Sequence, residues 1–261
     1  MKDIQIGIIG GTGGMGHWFA DFLAGEGYTV HVSGRSTGMD VGKMADVCRV
    51  VVVSVPIAAT GDVIEKIGPC MKKDSLLMDL TSLKVAPVTA MTEFSVSEVI
   101  GCHPLFGPHV DSVSGQRVVL CPERTTEKWF SWLKEIFEKR GAIVVETTPV
   151  KHDAMMTVVQ GLNHLNTITM GVVLGKTGVS LSDLNQFVTP AFQAKIKNVE
   201  KVFTHNPGLY ADIVAMNPDI GMILDLCEET LAELRCLIRD GKTGMLTEML
   251  KKYAGLLWPL G

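Results

Sequence analysis

Ile4-Gln5-Ile6-Gly7-Ile8-Ile9-Gly10-Gly11-Thr12-Gly13-Gly14-Met15-Gly16 is a β-branched apolar run that breaks directly into glycine. Gly11, Gly13 and Gly16 stand in GxGxxG spacing at a strand-to-helix junction. The first glycine serves the tight turn, the second lets backbone approach a pyrophosphate, and the third lets helix and strand pack closely. The N-terminus of the following helix then turns unpaired N–H groups toward the anion. The motif alone is a weak signal. Here strand, loop, helix and a second strand at Thr29 to Ser33 come in the order that dinucleotide binding requires. Thr12, Gly14 and Met15 complete the loop and are read as part of the same site.

The end of the second strand selects the dinucleotide. An NAD site usually carries Asp or Glu there for the ribose 2′-hydroxyl, whereas this chain reads Ser33-Gly34-Arg35-Ser36. An Arg flanked by hydroxyls suits a 2′-phosphate, to which a guanidinium makes bidentate charge-assisted bonds. The expected cofactor is NADP, held by Ser33, Arg35 and Ser36; the plainer reading of Arg35 is a solvated loop residue.

Outward from this motif, short apolar runs alternate with amphipathic segments, the pattern of a doubly wound α/β domain with a parallel sheet covered on both faces. Strands are expected at Ile4 to Ile9, Thr29 to Ser33, Val50 to Ser54, Leu76 to Leu80, Glu98 to Cys102, Arg117 to Cys121 and Ala142 to Glu146. Thr126 can cap a helix that carries Trp129, Leu133, Ile136 and Phe137 on one face and stops at Gly141. After Pro149 the β-branched runs give way to helical spacing, broken at Gly175 to Gly178, Asn206 to Gly208 and Asn217 to Pro218. The reading is a Rossmann domain over residues 1–149 and an all-helical domain over 150–261.

The chain has 261 residues, enough for two domains, with 46% hydrophobic and 20% charged residues, a globular composition. A net charge of -4 with scattered Lys and Arg gives no footprint for nucleic acid. No apolar run approaches the roughly 20 residues that span a bilayer, and the first strand follows the start of the chain without a charged leader, so a cytoplasmic protein without a membrane partner is expected. The 6 cysteines are irregularly spaced with no CxxC pair, and are read as packed free thiols with no metal site.

In open α/β sheets, chemistry lies beyond the carboxyl ends of the strands. Ser54-Val55-Pro56 follows the third strand, and Ser54 and Pro56 are read as facing the cofactor. Thr81-Ser82-Leu83-Lys84 follows the fourth strand and His103-Pro104-Leu105-Phe106-Gly107-Pro108 the fifth. His103 is the best general base, since an imidazole with an ordinary pKa of about 6.5 accepts a proton near neutrality, and Pro104 stiffens the turn behind it. The alternative is a histidine that closes the strand end on a backbone carbonyl. Ser82 orients the imidazole, donates to a substrate oxygen, or simply caps the next helix. Lys84 is brought to the same rim as these hydroxyls and the imidazole; its plainer reading is a solvated helix residue.

These segments, with His152-Asp153, Val159-Gln160-Gly161-Leu162-Asn163-His164 and Asn206-Pro207-Gly208-Leu209-Tyr210-Ala211-Asp212-Ile213, form an ordered set that resembles the prephenate dehydrogenase family over nearly the whole chain. The resemblance implies a Rossmann domain joined to a helical domain that interlocks two chains into a homodimer. It implies oxidative decarboxylation of prephenate to 4-hydroxyphenylpyruvate in tyrosine biosynthesis, with hydride passing to NADP, or the same reaction on arogenate. By similarity His103 is the catalytic histidine that takes the hydrogen bond of the ring hydroxyl, Ser82 is its partner, and His164 reaches the site from the helical domain. Plainer readings are helix packing for His164 and helix capping for His152 and Asp153.

One position departs from the family. An Arg often follows a Ser/Thr-Pro pair in the helical domain to hold a substrate carboxylate, but here Thr189-Pro190-Ala191-Phe192 leads to Gln193. Gln193 and Lys195, or Lys197, are the substrate-binding candidates in its place, although Lys lacks the bidentate fork. No fused chorismate mutase or amino-acid-sensing domain is expected, so tyrosine feedback would act at the active site. Competing readings are a 3-hydroxyacid dehydrogenase or imine reductase, which would need a catalytic Lys on a helix of the second domain, and a non-catalytic NADP-sensing module, which would have no use for His103, Ser82 and His164 together.

From Ser33-Gly34-Arg35-Ser36 we expect a clearly higher kcat/KM with NADP than with NAD, and erosion of that preference in Arg35→Ala. Equal or better use of NAD by the unmodified protein would overturn the reading of Arg35.

Overall fold

The computed structural model describes residues 3–35 and 38–259. Seven strands lie among them: β1 (Gln5–Ile9), β2 (Thr29–Ser33), β3 (Val50–Val53), β4 (Leu76–Asp79), β5 (Glu98–Pro104), β6 (Arg117–Arg124) and β7 (Ile143–Glu146). They form one sheet in the order β2-β1-β3-β4-β5-β6-β7, parallel throughout except for the antiparallel pair β5 and β6. All seven expected strands are present, but β5 and β6 run on to Pro104 and Arg124 because each completes the other's hydrogen-bond ladder. Pro104 therefore belongs to the strand itself, opposite Val118, and not to a turn.

Alternate side chains leave the sheet on opposite faces and bury two separate cores. Ile6, Ile8, Val50, Val52, Leu76 and Met78 join Phe19 and Leu23 of α1 (Gly14–Gly25), together with the later helix at Glu127–Glu138. Ile9, Val51, Val53 and Leu77 join Met44 of α2 (Val41–Val47), Ile64 and Ile67 of α3 (Ile57–Ile67), and Val88 and Met91 of α4 (Val85–Phe94). Every one of these strand positions is apolar because both faces of the sheet are covered.

Helix α5 (Glu127–Glu138) buries Trp129, Leu133, Ile136 and Phe137, the stripe expected from the sequence. Thr126 occupies its N-cap position but makes no capping bond; its hydroxyl donates instead to the Glu98 carboxylate at 2.9 Å, a tertiary partner that outcompetes the local one. Gly141 follows with φ 81°, the left-handed conformation that suits glycine.

No strand follows β7 among the described residues. The chain continues as α6 (Pro149–Met156), a π-helical turn at Thr157–Leu162, α7 (Asn163–Thr177), α8 (Leu181–Leu184), α9 (Pro190–Glu200), a second π-helical turn at Lys201–His205, α10 (Pro207–Ala215), α11 (Ile220–Arg239) and α12 (Thr243–Leu257). Gly178 (φ 71°) ends α7, and the Asn206 side chain accepts from the Leu209 N–H at 3.2 Å to start α10. The chain forms two compact units: one runs to Asn217 and contains the sheet with α1 to α10, and the other starts at Pro218 and contains α11 packed on α12.

In the second unit Met222, Leu226, Leu231 and Ile238 of α11 and Leu250, Leu256 and Leu257 of α12 are exposed. Among the described residues no helix is long and apolar enough to cross a membrane. All six cysteines are free thiols, but only Cys48, Cys102 and Cys121 are buried; Cys70 and Cys236 are exposed, contrary to the expectation that the thiols are packed. Burial pushes the Cys48 thiol up to about 11 and the Cys121 thiol up to about 12.

Candidate active site

Strand β1 enters the glycine loop through Gly10, whose φ of 82° and crowding admit only glycine: a Cβ there would lie 2.2 Å from the Ser54 carbonyl oxygen. The Gly10 and Gly11 N–H groups donate to the Ser33 carbonyl at 2.7 and 3.2 Å, which ties the loop to the end of β2. Gly16 presses helix onto loop, since its Cβ would lie 2.4 Å from the Gly10 carbonyl oxygen. Gly13 caps α1 without a side-chain hydrogen bond, and the first turn of α1 carries no acidic residue. A helix start with unpaired N–H groups and no side chain in front of it fits the pyrophosphate of a dinucleotide.

The remaining expected cofactor residues surround this cradle unevenly. Thr12, Gly13 and Gly14 are exposed, whereas Met15 packs partly into the core. Ser33 is buried and Arg35 exposed, and Ser36 lies outside the described residues. Ser54 is half-buried beside Gly10, and Pro56 occupies the N-cap position of α3. Pro108, from the segment that follows β5, sits over the loop, 3.0 Å from where a Cβ on Gly14 would be.

His103 lies inside β5, opposite Val119, and is 3% exposed. Its Nδ1 meets His152 Nε2 at 2.9 Å, and His152 Nδ1 meets Asp153 Oδ1 at 2.7 Å. The carboxylate can only accept, so His152 carries its proton on Nδ1; its Nε2 then accepts, and His103 donates from Nδ1. The chain of bonds leaves His103 Nε2 as an acceptor, and the side-chain amide of Gln160 donates to it. Gln160 Nε2 stands 3.4 Å from that atom. Burial first, then the charges of His152 and Lys84, hold the His103 imidazole well below the usual histidine range, so it is unprotonated at neutrality.

Asp153 is itself held from the other side. Its Oδ1 accepts from the Lys84 N–H at 2.7 Å and its Oδ2 from the Val85 N–H at 2.9 Å, so the carboxylate also caps α4. Burial raises its pKa, and the bonds from His152, Val85 and Lys84 outweigh that effect and lower it. His152 and Asp153 thus do not merely cap their own helix. The N-cap of α6 is Thr148, which accepts from Lys151 N–H, and this frees the next turn for the site.

Lys84 is not a solvated helix residue. Both Lys84 and Asp79 are 0% exposed, and they form an ion pair that Thr81 shares, its hydroxyl 2.5 Å from Asp79 Oδ2. Lys84 Nζ also donates to the Cys102 carbonyl at 2.9 Å, one residue before His103. A buried ammonium survives only when it is paired and hydrogen-bonded. Ser82 is half-buried, and among the described residues no hydrogen bond joins it to His103; His152 holds the ring instead.

The π-helical turn at Thr157–Leu162 shapes the remainder. In an α-helix, residues four apart drift around the axis, since a turn takes 3.6 residues. The wider turn carries Gln160, whose side-chain amide reaches His103. Gln160 Oε1 and His164 Nδ1 are buried without a hydrogen-bond partner. The His164 ring meets Tyr210 edge-on at 5.0 Å; burial and then the charge of Lys201 lower its pKa. Gln193 and Lys195 are exposed on α9 and their side chains make no hydrogen bond or ion pair among the described residues, and Lys197 is likewise exposed. The cation in electrostatic reach of His164 is Lys201, at the start of the second π-helical turn. Asp79, Gln160 and Lys201 carried no assigned role in the sequence; for Asp79 the available signal was an acidic residue closing an otherwise apolar strand.

Two family models match in tandem: the nucleotide-binding domain of prephenate dehydrogenase over residues 28–146, and its dimerization domain over residues 148–252. A probable arogenate/prephenate dehydrogenase from Methanocaldococcus jannaschii is 34% identical over 96% of this chain and 61% of its own length. The T-protein of Haemophilus influenzae is 32% identical over 88% of this chain and 60% of its own length. The chain therefore spans less than two thirds of these relatives. Among solved structures, prephenate dehydrogenase from A. aeolicus in complex with hydroxyphenyl propionate and NAD+ shares the fold, with a TM-score of 0.71 at 22% identity over 96% of both chains.

The buried ion pair generates a stability prediction. Lys84→Met leaves the Asp79 carboxylate buried and unpaired, at a cost of about 3 to 5 kcal/mol. Urea unfolding should record that loss, and adding Asp79→Leu should recover part of it. Unchanged stability in the single variant would contradict the pairing.

Proposed function

Because the chain belongs to the prephenate dehydrogenase family, we propose that it oxidatively decarboxylates prephenate to 4-hydroxyphenylpyruvate in the cytoplasm, with NADP as hydride acceptor, on the route to tyrosine. The observation that carries this reading is the unprotonated His103 Nε2, held only by a long bond from Gln160, on a buried imidazole kept neutral by its surroundings. A base for a ring hydroxyl must be neutral before it acts and must hold its orientation. Residues 1–149 serve as the dinucleotide-binding part and residues 150–261 as the substrate and dimerisation part.

Bound at the glycine loop, a nicotinamide would supply the hydride acceptor. His103 Nε2 accepts the hydrogen bond of the substrate hydroxyl and draws its proton away. Gln160, whose amide oxygen has no partner, and His164, whose Nδ1 has none, offer polar contacts to the same substrate. Gln193 cannot supply the charge that an Arg would, and we assign a substrate carboxylate to Lys201, whose charge already reaches His164. Arogenate, which differs from prephenate by an amino group, is the second reading, supported by the name of the M. jannaschii relative. Arg35, exposed after β2 where an NAD site would carry an acid, supports NADP.

His103→Asn should retain NADP binding and lose about 10² to 10⁴ in kcat with prephenate. Because the imidazole pKa is depressed, activity of the unmodified protein should stay level through neutrality and fall only as the pH drops below the ordinary histidine range. The variant should lack that acid limb. Wild-type kcat in His103→Asn, or an unchanged limb, would move the role to another group.

The exposed apolar side chains of α11 and α12, together with the match to a dimerization domain, support a homodimer. Sedimentation at micromolar concentration should give twice the chain mass; a monomer would contradict this part of the proposal.

A further inference from the structure

Burial makes His103 hard to protonate, yet the proposed reaction asks it to take a proton. The geometry points to an outlet. We propose that His152 and Asp153 are positioning residues that relay the proton onward from His103 and hold it until the product needs it, an inference that rests on the function proposed above.

The connectivity is complete: Asp153 Oδ1 to His152 Nδ1 at 2.7 Å, and His152 Nε2 to His103 Nδ1 at 2.9 Å. As the hydroxyl O–H bond breaks, its pair forms the ring C=O while the carbinol C–H pair leaves as hydride for the nicotinamide acceptor of the proposed function, and an N–H bond forms at His103 Nε2. The His103 Nδ1–H bond then breaks as a new N–H bond forms at His152 Nε2. The positive charge comes to rest on the His152 imidazolium, against the Asp153 carboxylate, while His103 returns to a neutral ring. Loss of carbon dioxide sends the C–C bonding pair into the ring and leaves its oxygen as a phenolate, and the same two transfers in reverse return the proton to that oxygen.

The surrounding charges favour this location. Lys84 faces His103 from the start of α4 and disfavours a charge there, and the Lys84 ammonium is itself paired with Asp79 of β4. The Cys102 and Cys121 thiols of β5 and β6 are pushed up by burial and stay neutral. On its other side His152 borders a cavity of about 210 Å³ lined also by Glu146 and Lys151. The Asp153 carboxylate, anchored by two backbone N–H groups, is the only negative group hydrogen-bonded to either imidazole among the described residues.

The test is His152→Gln, whose amide oxygen can still accept the His103 Nδ1–H bond but cannot take a proton. With NADP binding intact, the relay predicts a kcat loss of about 10²-fold, little change in KM, and an acid limb shifted to lower pH, because His103 must now bear the charge alone. If His152 only orients the ring, the variant keeps near-wild-type kcat. If it acts only as a like-charged neighbour, its removal moves the limb to higher pH; either result overturns the relay. A second measurement needs neither substrate nor a folded variant: proton titration of the imidazole C–H resonances in the unmodified protein. The relay predicts that the first proton taken up by the pair in acid perturbs the His152 ring, whereas uptake first at His103 would overturn it. Absence of prephenate turnover in the wild type would sink the functional reading, with the relay still decided by that titration.

Discussion

The Asp153 carboxylate is the constraint on which the site depends. One group accepts the N–H bonds of Lys84 and Val85, closing the start of α4, and the Nδ1–H bond of His152. It therefore joins α6 to the loop after β4 and dictates the tautomer of two histidines in succession. Buried carboxylates are costly unless every lone pair finds a donor, and this one has three. A neutral side chain could cap α4 equally well, but it could not hold the imidazole chain in the same polarity.

The base at the end of that chain sits on rigid backbone. His103 lies in a strand bonded on both sides, with β4 and β6 as neighbours, and the Lys84 ammonium is clamped to the Cys102 carbonyl just before it. Catalytic groups on strands hold position better than groups on free loops. The segment beyond it returns to the glycine loop, where Pro108 packs against Gly14. Base and cradle are thereby linked through a few residues of one connection, so the distance between them is fixed by the sheet.

The sheet was legible in the sequence because burial on both faces leaves a plain mark: Val50-Val51-Val52-Val53 and Leu76-Leu77-Met78 have no polar member. The glycine loop was legible because crowding against backbone at Gly10 and Gly16, and against the Val32 side chain at Gly11, leaves no room for a Cβ. The interior of the site was much less so. Lys84 and Asp153 bond across 69 residues, and His103 and His152 across 49, and no local pattern encodes such partners. Lys84 looked like any helix lysine, since its burial follows from Asp79 and Cys102 and not from its neighbours in sequence. Ser82 looked like a partner for His103 because of its strand-end position and the family resemblance, neither of which encodes the bond that His152 makes. The π-helical turns, one of which carries Gln160 to His103, leave no signature in residue spacing that separates them from ordinary helix.

The tautomer chain is open to direct inspection by ¹⁵N NMR of protein labelled in its histidine rings, at neutral pH and without ligands. The account predicts that His103 and His152 both carry their proton on Nδ1, with Nε2 of each ring unprotonated and that of His103 able to act as a base once substrate displaces the Gln160 amide. A proton on His103 Nε2 would contradict it, because the atom assigned to receive the substrate's proton would already be occupied.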